Sequence, residues 1–264
     1  MTPTRPSWKH RLLAIHAGAV YLFLYGPIAI LVIFSFNRST NVSTWEGFSW
    51  RWYSVLWLAD DMGDAITTSL TVAALATAFA TIFGTLAAMA MSRGDFRGKP
   101  ATSALLYLPI IIPEIVIGAA LLTFFSVVQW HLSLWTIVIA HVMFSVSYVA
   151  IVVRARLAGF DRSLEEAAMD LGAGRFGTFL RVTLPLMMPG VVAGALLVCT
   201  LSIDDYVITS FVAGPESMTL PMLIASKVKL KSDLPVVNAA ATVLLAFTVV
   251  LILISQWLLG KKRK

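Results

Sequence analysis

Two adjacent carboxylates interrupt a long apolar stretch in the segment LSIDDYVITS, residues 201–210. A charged side chain at the centre of a bilayer costs about 2.5–3.5 kcal/mol on insertion scales. Asp204 and Asp205 therefore need a reason to be there, and so does Glu114 in YLPIIIPEIVIG. The sequence indicates no basic residue at a similar depth. Because carboxylates attract cations across low-dielectric walls, these three residues and the adjacent Tyr206 are candidates for a path that a cation crosses.

The two aspartates are expected to have different roles. Neighbouring residues on a helix point about 100° apart, so Asp204 and Asp205 cannot both face one narrow pore. We expect one to face a cavity and the other to contact a partner chain or cap a local break. The alternative is that both lie in a wet outer vestibule as a solvated helix end. For Glu114, the alternative is a protonated, hydrogen-bonded core carboxyl.

Other chemistry is less well supported by the residue pattern. An intramembrane aspartyl protease needs two carboxylates from separate helices that share a proton. Glu114 and Asp204 are the conceivable pair, but no protease motif accompanies them. The four histidines show no metal-ligand spacing, and His141 is better explained as a packed polar residue within a helix. The sequence therefore predicts neither a metal site nor a cofactor.

Composition indicates an integral membrane protein. Of the 264 residues, 58% are hydrophobic and 13% charged, with a mean hydropathy of +0.84, whereas a soluble domain carries roughly a quarter charged residues. Apolar runs of about 20 residues span a bilayer as helices. We predict an all-α fold, a single transmembrane domain over residues 1–264, and an uncleaved first helix. The six predicted spans are 12–35, 66–91, 102–127, 135–153, 188–212 and 238–259.

The distribution of basic residues predicts the orientation. Lysine and arginine accumulate in cytoplasmic loops, and 15 of the 20 basic residues fall on one side of the predicted spans. They lie in the two termini and in the loops 92–101 and 154–187. This places both termini in the cytoplasm and explains the net charge of +6 without nucleic acid. The aromatic-rich loop 37–64 then faces outward, either as an interfacial belt or as a lip that contacts a partner. The segment 213–237 is too short to span and partly amphipathic, so we expect it to form a short helix along the outer rim.

Breaks and turns follow from proline, glycine and capping residues. Pro109 and Pro113 each remove a backbone donor and are expected to kink or break the third span. The loop 154–187 predicts two short helices around a turn, the first capped by Asp161 or Ser163. Gly172 stands where a helix commonly ends in a left-handed residue. Pro185 is expected to end the second short helix.

This loop carries a motif that resembles one family. The residues Glu166, Ala167 and Ala168, then Gly172, then Val182, Leu184 and Pro185 match the EAA motif of ABC importer permeases in type and spacing, with valine where isoleucine is usual. The segments FDRSLEEAAMDLGA and TLSIDDYVITSFVAGP extend the resemblance to the permeases of spermidine/putrescine importers. The resemblance implies the type I importer permease fold in a bacterial inner membrane. It also implies that the EAA residues, with Gly172, Leu184 and Pro185, couple this chain to ATPase subunits.

The same resemblance implies the partners. They are a second homologous permease, two ATPase subunits and a periplasmic polyamine-binding protein. The sequence contains no G-x-x-x-x-G-K-[ST] loop, which cradles nucleotide phosphates, so ATP is expected to be hydrolysed by another chain and this chain is not an enzyme. The alternative within the class is an importer of another substrate, such as an anion or a metal chelate. A secondary transporter or a channel would not need the EAA loop.

Overall fold

The computed structural model describes residues 8–260, and within that range the chain is helical apart from loops and one isolated bridge between Asn37 and Phe48. The all-α prediction is therefore confirmed. Arg5 and residues 261–264, which contributed to the orientation argument, lie outside the described residues. The helices are α1 Trp8–Ser35, α2 Arg51–Leu58, α3 Asp60–Arg93, α4 Lys99–Ile111, α5 Glu114–Val127, α6 Leu134–Ala158, α7 Ser163–Asp170, α8 Arg175–Thr178, α9 Leu184–Asp204, α10 Val207–Val212, α11 Leu220–Leu230 and α12 Leu234–Gly260, with a π-helical segment Phe179–Thr183 before α9.

Five of the described helical stretches are long and apolar enough to cross a membrane, and the pair formed by α4 and α5 makes up to six. The six predicted spans correspond to these stretches. Several helices extend beyond the predicted limits: α3, for example, begins at Asp60 and ends at Arg93. The extension has a simple cause, because helical hydrogen bonding continues past the apolar core into the headgroup region, where polar side chains remain hydrated.

The third predicted span consists of two helices that meet at 109°. Pro109 lies inside α4, so the break falls at Ile112 and Pro113. The proline ring disfavours the helical conformation of the residue before it, and Ile112 is accordingly extended, with φ −74° and ψ 132°. The prediction of a broken span is confirmed, and Pro113 marks the position of the break.

The expectation that Pro185 ends a helix is wrong. A helical stretch runs from Arg175 to Asp204, and Pro185 lies in the first turn of α9. The backbone N–H of Leu184 donates to the carbonyl of Phe179, five residues back, because the segment Phe179–Thr183 is π-helical. The hydrogen-bond register therefore shifts immediately before the proline, and a missing donor at the start of a helix is tolerated.

Within the described residues, the chain packs as two compact units, 8–60 with 224–245 and 61–223 with 246–260. The first contains an aromatic cluster in the predicted outer loop, in which the Phe36 ring lies 4.9–5.3 Å from three others. The other rings belong to Phe48, Trp50 and Tyr53. The helix predicted in 213–237 is present as α11.

Close helix packing organises the second unit around α6. A Cβ atom built on Gly84 of α3 would lie 2.5 Å from Cβ of Val149, and one built on Gly194 of α9 would lie 3.3 Å from Cγ1 of the same residue. Val149 is fully buried in α6. Small residues let membrane helices approach closely, so two glycines bring α3 and α9 against the same valine of α6. This packing holds α3 and α9 close to α6.

Candidate functional site

The EAA residues lie on α7 and the turn that follows it. We call residues 161–174 the coupling segment. The backbone N–H of Ser163, the first residue of α7, donates to Oδ1 of Asp161 at 2.9 Å. Hydrogen bonds from the backbone and the side chain of Ser163 lower the pKa of the Asp161 carboxyl. The prediction that Asp161 or Ser163 is the N-cap is wrong, because Arg162 holds that position and Ser163 is the first helical residue.

Gly172 ends α7 in the left-handed conformation, with φ +89°. The N–H of Gly172 donates to the carbonyl of Met169 at 2.9 Å, and the N–H of Ala173 donates to that of Ala168 at 3.1 Å. This pair of hydrogen bonds is a Schellman motif, which requires a left-handed residue that glycine adopts without strain. The predicted turn at Gly172 is confirmed.

The coupling segment presents apolar side chains to the outside of the chain. Leu171 is 90% exposed, and Phe176, just beyond the segment, is 74% exposed. Glu166 and Ala167 are also exposed, whereas Ala168 is half-buried. Exposed apolar groups of this kind mark protein interaction surfaces. The second part of the motif lies outside the coupling segment. Leu184 packs against the buried core that includes Val149, and Pro185 lies in the first turn of α9.

The expectation that Asp204 and Asp205 both lie within the fifth helix is wrong. Helix α9 ends at Asp204, and Asp205 is extended, with φ −67° and ψ 123°. Oδ2 of Asp205 accepts hydrogen bonds from the backbone N–H of Thr209 at 2.8 Å and from its hydroxyl at 2.6 Å. A short carboxylate that bonds nearby backbone competes with continued helix. Asp205 thus lies at a local break and caps the short helix α10, one of the roles expected for one aspartate.

A histidine side chain lies beside Asp205. Nε2 of the buried His141 is 3.3 Å from Oδ2 of Asp205 and 2.9 Å from the hydroxyl of Thr209. Nδ1 of the same ring is 2.7 Å from the hydroxyl of Ser202. His141 is a packed polar residue, as predicted. The single histidine inside an apolar helix indicated a buried polar residue. Its hydrogen-bond partners could not be identified from the sequence, because they lie 61–68 residues away in the chain.

Asp204 has a more open environment. Its side chain is exposed at the carboxyl end of α9, and the Thr248 hydroxyl lies 3.3–3.4 Å from its two oxygens. The last carbonyls of a helix carry partial negative charge, so Asp204 adds its charge to an end that is already negative. Tyr206, between α9 and α10, is half-buried. The acidic side chain of Asp204 is therefore accessible at this end of α9.

Glu114 is the first residue of α5 and is exposed. A carboxylate at a helix N-terminus is favoured by the helix dipole. Helix α5 approaches α10 closely, since a Cβ on Gly118 would lie 2.6 Å from Cδ2 of Phe211. Among the described residues, the hydrogen bonds of Asp204 run to Thr248 and none joins it to Glu114. The structure therefore adds no support for a pair of carboxyls that share a proton.

Comparison with known proteins assigns the chain to a family. Residues 80–263 match the family described as binding-protein-dependent transport system inner membrane component. The chain is 42% identical over 246 residues to the spermidine/putrescine transport system permease protein PotC of Escherichia coli (strain K12), covering 93% of each chain. It is 43% identical over 252 residues to the putrescine transport system permease protein PotI of the same strain, covering 92% of this chain and 89% of that one.

A solved structure shares the fold. One chain of a bacterial ABC transporter involved in the import of the acidic polysaccharide alginate aligns with a TM-score of 0.77 at 16% identity, over 97% of this chain and 96% of that one. This confirms the predicted permease fold. The relatives are transport permeases and not enzymes. Because the family match covers well over half of the chain and includes the coupling segment, the chain belongs to the inner-membrane components of binding-protein-dependent transport systems, as a permease of an ABC importer.

Proposed function

We propose that this chain imports polyamines, putrescine, spermidine or both, as one half of a transmembrane pore that a second homologous permease completes. The single observation that carries the proposal is the exposed carboxylate of Asp204 at the negative end of α9. It suits a substrate with several positive charges. The names of the two relatives above point to the same substrate class.

The substrate path rests on a division of labour between the carboxylates. Asp204 is free to meet a passing ammonium group, because the hydroxyl of Thr248 is its nearest described partner. Asp205 holds the break between α9 and α10, and Tyr206 borders it. Glu114 lines the path at the break after Pro113. Conduction needs sites weak enough to release the substrate, so these contacts are transient, and selectivity comes mainly from the binding protein.

The coupling segment is the docking element for the ATPase subunits. Leu171 and Phe176 offer exposed apolar surface, and Glu166 offers an exposed charge beside it. Two ATPase subunits hydrolyse the nucleotide, and a periplasmic polyamine-binding protein delivers the substrate. This arrangement puts the coupling segment and both termini in the cytoplasm, which agrees with the distribution of basic residues.

The alternative within the class is a permease for another substrate. An anion is unattractive at the proposed path, since Glu114, Asp204 and Asp205 would repel it in a medium of low dielectric constant. A metal chelate with net positive charge is compatible with the same carboxylates. The two possibilities separate in a transport assay with defined substrates.

The test is uptake by the full complex in proteoliposomes with ATP on the ATPase side. We expect labelled putrescine or spermidine to accumulate only when the binding protein and ATP are present. Asp204→Asn is expected to lower uptake up to about five-fold, because an exposed ion pair contributes at most ~1 kcal/mol. Glu216→Gln, an exposed carboxylate outside the spans, serves as the matched control. Absence of polyamine uptake by a complex whose ATPase responds to the binding protein would refute the polyamine assignment.

A further inference from the structure

Glu165, the residue before the EAA motif, joins three separate parts of the second unit. Its Oε2 forms an ion pair with Nη1 of Arg93 at the end of α3. Its Oε1 accepts a hydrogen bond from the hydroxyl of Thr183, the last residue of the π-helical segment. Glu165 itself stands on α7. One carboxylate thus uses each of its oxygens to hold a different neighbouring segment.

The pair is largely shielded from water. The side chains of Arg93 and Glu165 are 23% and 16% exposed. The guanidinium of Arg93 also lies 5.2 Å from the centroid of the Phe160 ring, in the turn before α7. Shielding reduces the screening that makes exposed ion pairs weak. Removing one partner would leave a partly buried charge without its counter-charge, so the pair resists separation.

A second contact joins the same two parts of the chain. Nη2 of Arg162, just before α7, donates to the backbone carbonyl of Ser92 at 3.2 Å. The last turn of α3 is therefore linked to the coupling segment at two adjacent residues, Ser92 and Arg93. Together the two contacts limit rotation as well as separation of α7 relative to α3.

Glu165 and Glu166 are neighbours with opposite environments. Side chains one residue apart on a helix point about 100° away from each other. Glu166 is exposed, whereas Glu165 contacts Arg93 and Thr183 within the chain. The carboxylate of Glu166 is thus available to another chain, whereas both oxygens of Glu165 are engaged within this one.

We propose that Glu165 is a positioning residue that makes the coupling segment, the end of α3 and the π-helical segment move as one body during the ATP cycle. The inference rests on the proposed docking role of the coupling segment, but not on the identity of the substrate. Force applied to α7 by an ATPase subunit reaches α3 through Arg93 and reaches α9 through Thr183. Without the carboxylate, α7 would move while the spanning helices lag behind.

Distance measurements test the joint movement directly. Spin labels are placed at Ala90→Cys on α3 and Asp170→Cys on α7, both exposed positions, in a background where the single native cysteine is removed by Cys199→Ser. The sample is the full complex in nanodiscs, with and without a non-hydrolysable ATP analogue. We expect one narrow distance distribution that is the same in both states. Glu165→Gln should broaden it. A distance that shifts with nucleotide in the parent complex would overturn the proposal.

Coupling efficiency provides the second readout. Arg93→Gln and Glu165→Gln are each expected to lower uptake per ATP hydrolysed by roughly 2- to 30-fold, the range found for residues that couple distant sites. The double variant should be no worse than the worse single variant, since both remove the same link. Asp95→Asn, an exposed carboxylate in the loop after α3, is the control and should behave as the parent complex.

The outcomes separate this proposal from simpler ones. Single variants with parental coupling, or a double variant in which the two losses multiply, would overturn it. Loss of ATPase copurification in Glu165→Gln would also overturn it, since the residue would then serve docking itself. If the parent complex imports no polyamine, the proposed substrate fails, while the distance measurement and the ATPase response to the binding protein still test the role of Glu165.

Discussion

Gly172 offers a direct test of the docking element, because its contribution is confined to the backbone. It adopts φ +89° at the end of α7, and a Cβ built on it would meet no other residue within 4 Å. Gly172→Val therefore causes no clash. Its cost comes from forcing a β-branched residue into the left-handed region, about 1–2 kcal/mol.

This cost has a definite consequence for docking. Since each 1.4 kcal/mol corresponds to a factor of ten in an equilibrium constant, the ratio of native to remodelled turn falls roughly 5- to 30-fold. Leu171 immediately precedes Gly172 and is the most exposed apolar side chain of the coupling segment. A remodelled turn moves this side chain, so the affinity for the ATPase subunit should fall by a comparable factor.

Two other glycines provide matched controls. Gly174 lies in the same segment, has φ −66°, and also has open space around its Cβ position. Gly174→Val therefore introduces the same side chain without strain. Gly98, before α4, has φ +92° and open space. Gly98→Val introduces the same strain outside the coupling segment.

The assay is titration of the ATPase subunit onto the permease pair in nanodiscs, read out by nucleotide hydrolysis and by copurification. We expect Gly172→Val to weaken docking about 5- to 30-fold while membrane insertion is unchanged, and both controls to bind like the parent. Parental docking by Gly172→Val would refute the reasoning. So would an equal loss in Gly174→Val, because side-chain bulk and not backbone strain would then be responsible.

Three further substitutions test the path and the helix packing. Asp205→Asn keeps an oxygen acceptor for Thr209 but loses charge; we expect reduced labelled-polyamine uptake by an assembled complex, and full uptake would argue that the charge is dispensable. Glu114→Gln keeps the shape of the side chain and is expected to lower uptake in the same assay, whereas parental uptake would remove this charge from the path. Gly84→Ala places a Cβ 2.5 Å from that of Val149, so we expect a lower thermal midpoint in detergent, from about 1–3 kcal/mol of overpacking; an unchanged midpoint would contradict the close approach.

Several features of this chain were predictable because their causes are local. A bilayer demands about 20 apolar residues per helix, and the positions of the six apolar runs therefore predicted the spanning helices. The turn at Gly172 was predictable because glycine, which lacks a Cβ atom, adopts the left-handed conformation without strain. The break at Pro113 followed from the missing donor and from the restriction on Ile112.

Local rules were insufficient where a neighbouring element changed the balance. Pro185 was expected to end a helix. The π-helical segment shifts the hydrogen-bond register before this proline, and the helix continues. Asp205 was expected to continue the fifth helix. Its carboxylate instead accepts a hydrogen bond from the backbone N–H of Thr209, and α9 ends before it. In both cases a competing hydrogen bond a few residues away decided the backbone, and residue propensities do not include its geometry.

The sequence by itself determined the class of the molecule, the number of apolar spans and the place of the coupling motif, because hydrophobicity and backbone chemistry act over short distances. Only the tertiary structure decided which of the carboxylates are engaged. Arg93 and Glu165 lie 72 residues apart, and His141 meets Thr209 across 68 residues. Apolar periodicity places these side chains on helices but does not reveal which helix faces meet. The faces that meet are set by contacts between distant residues, such as those of Gly84 and Gly194 with Val149. In the folded chain Asp204 is exposed, whereas Asp205 and Glu165 form hydrogen bonds and ion pairs within the chain.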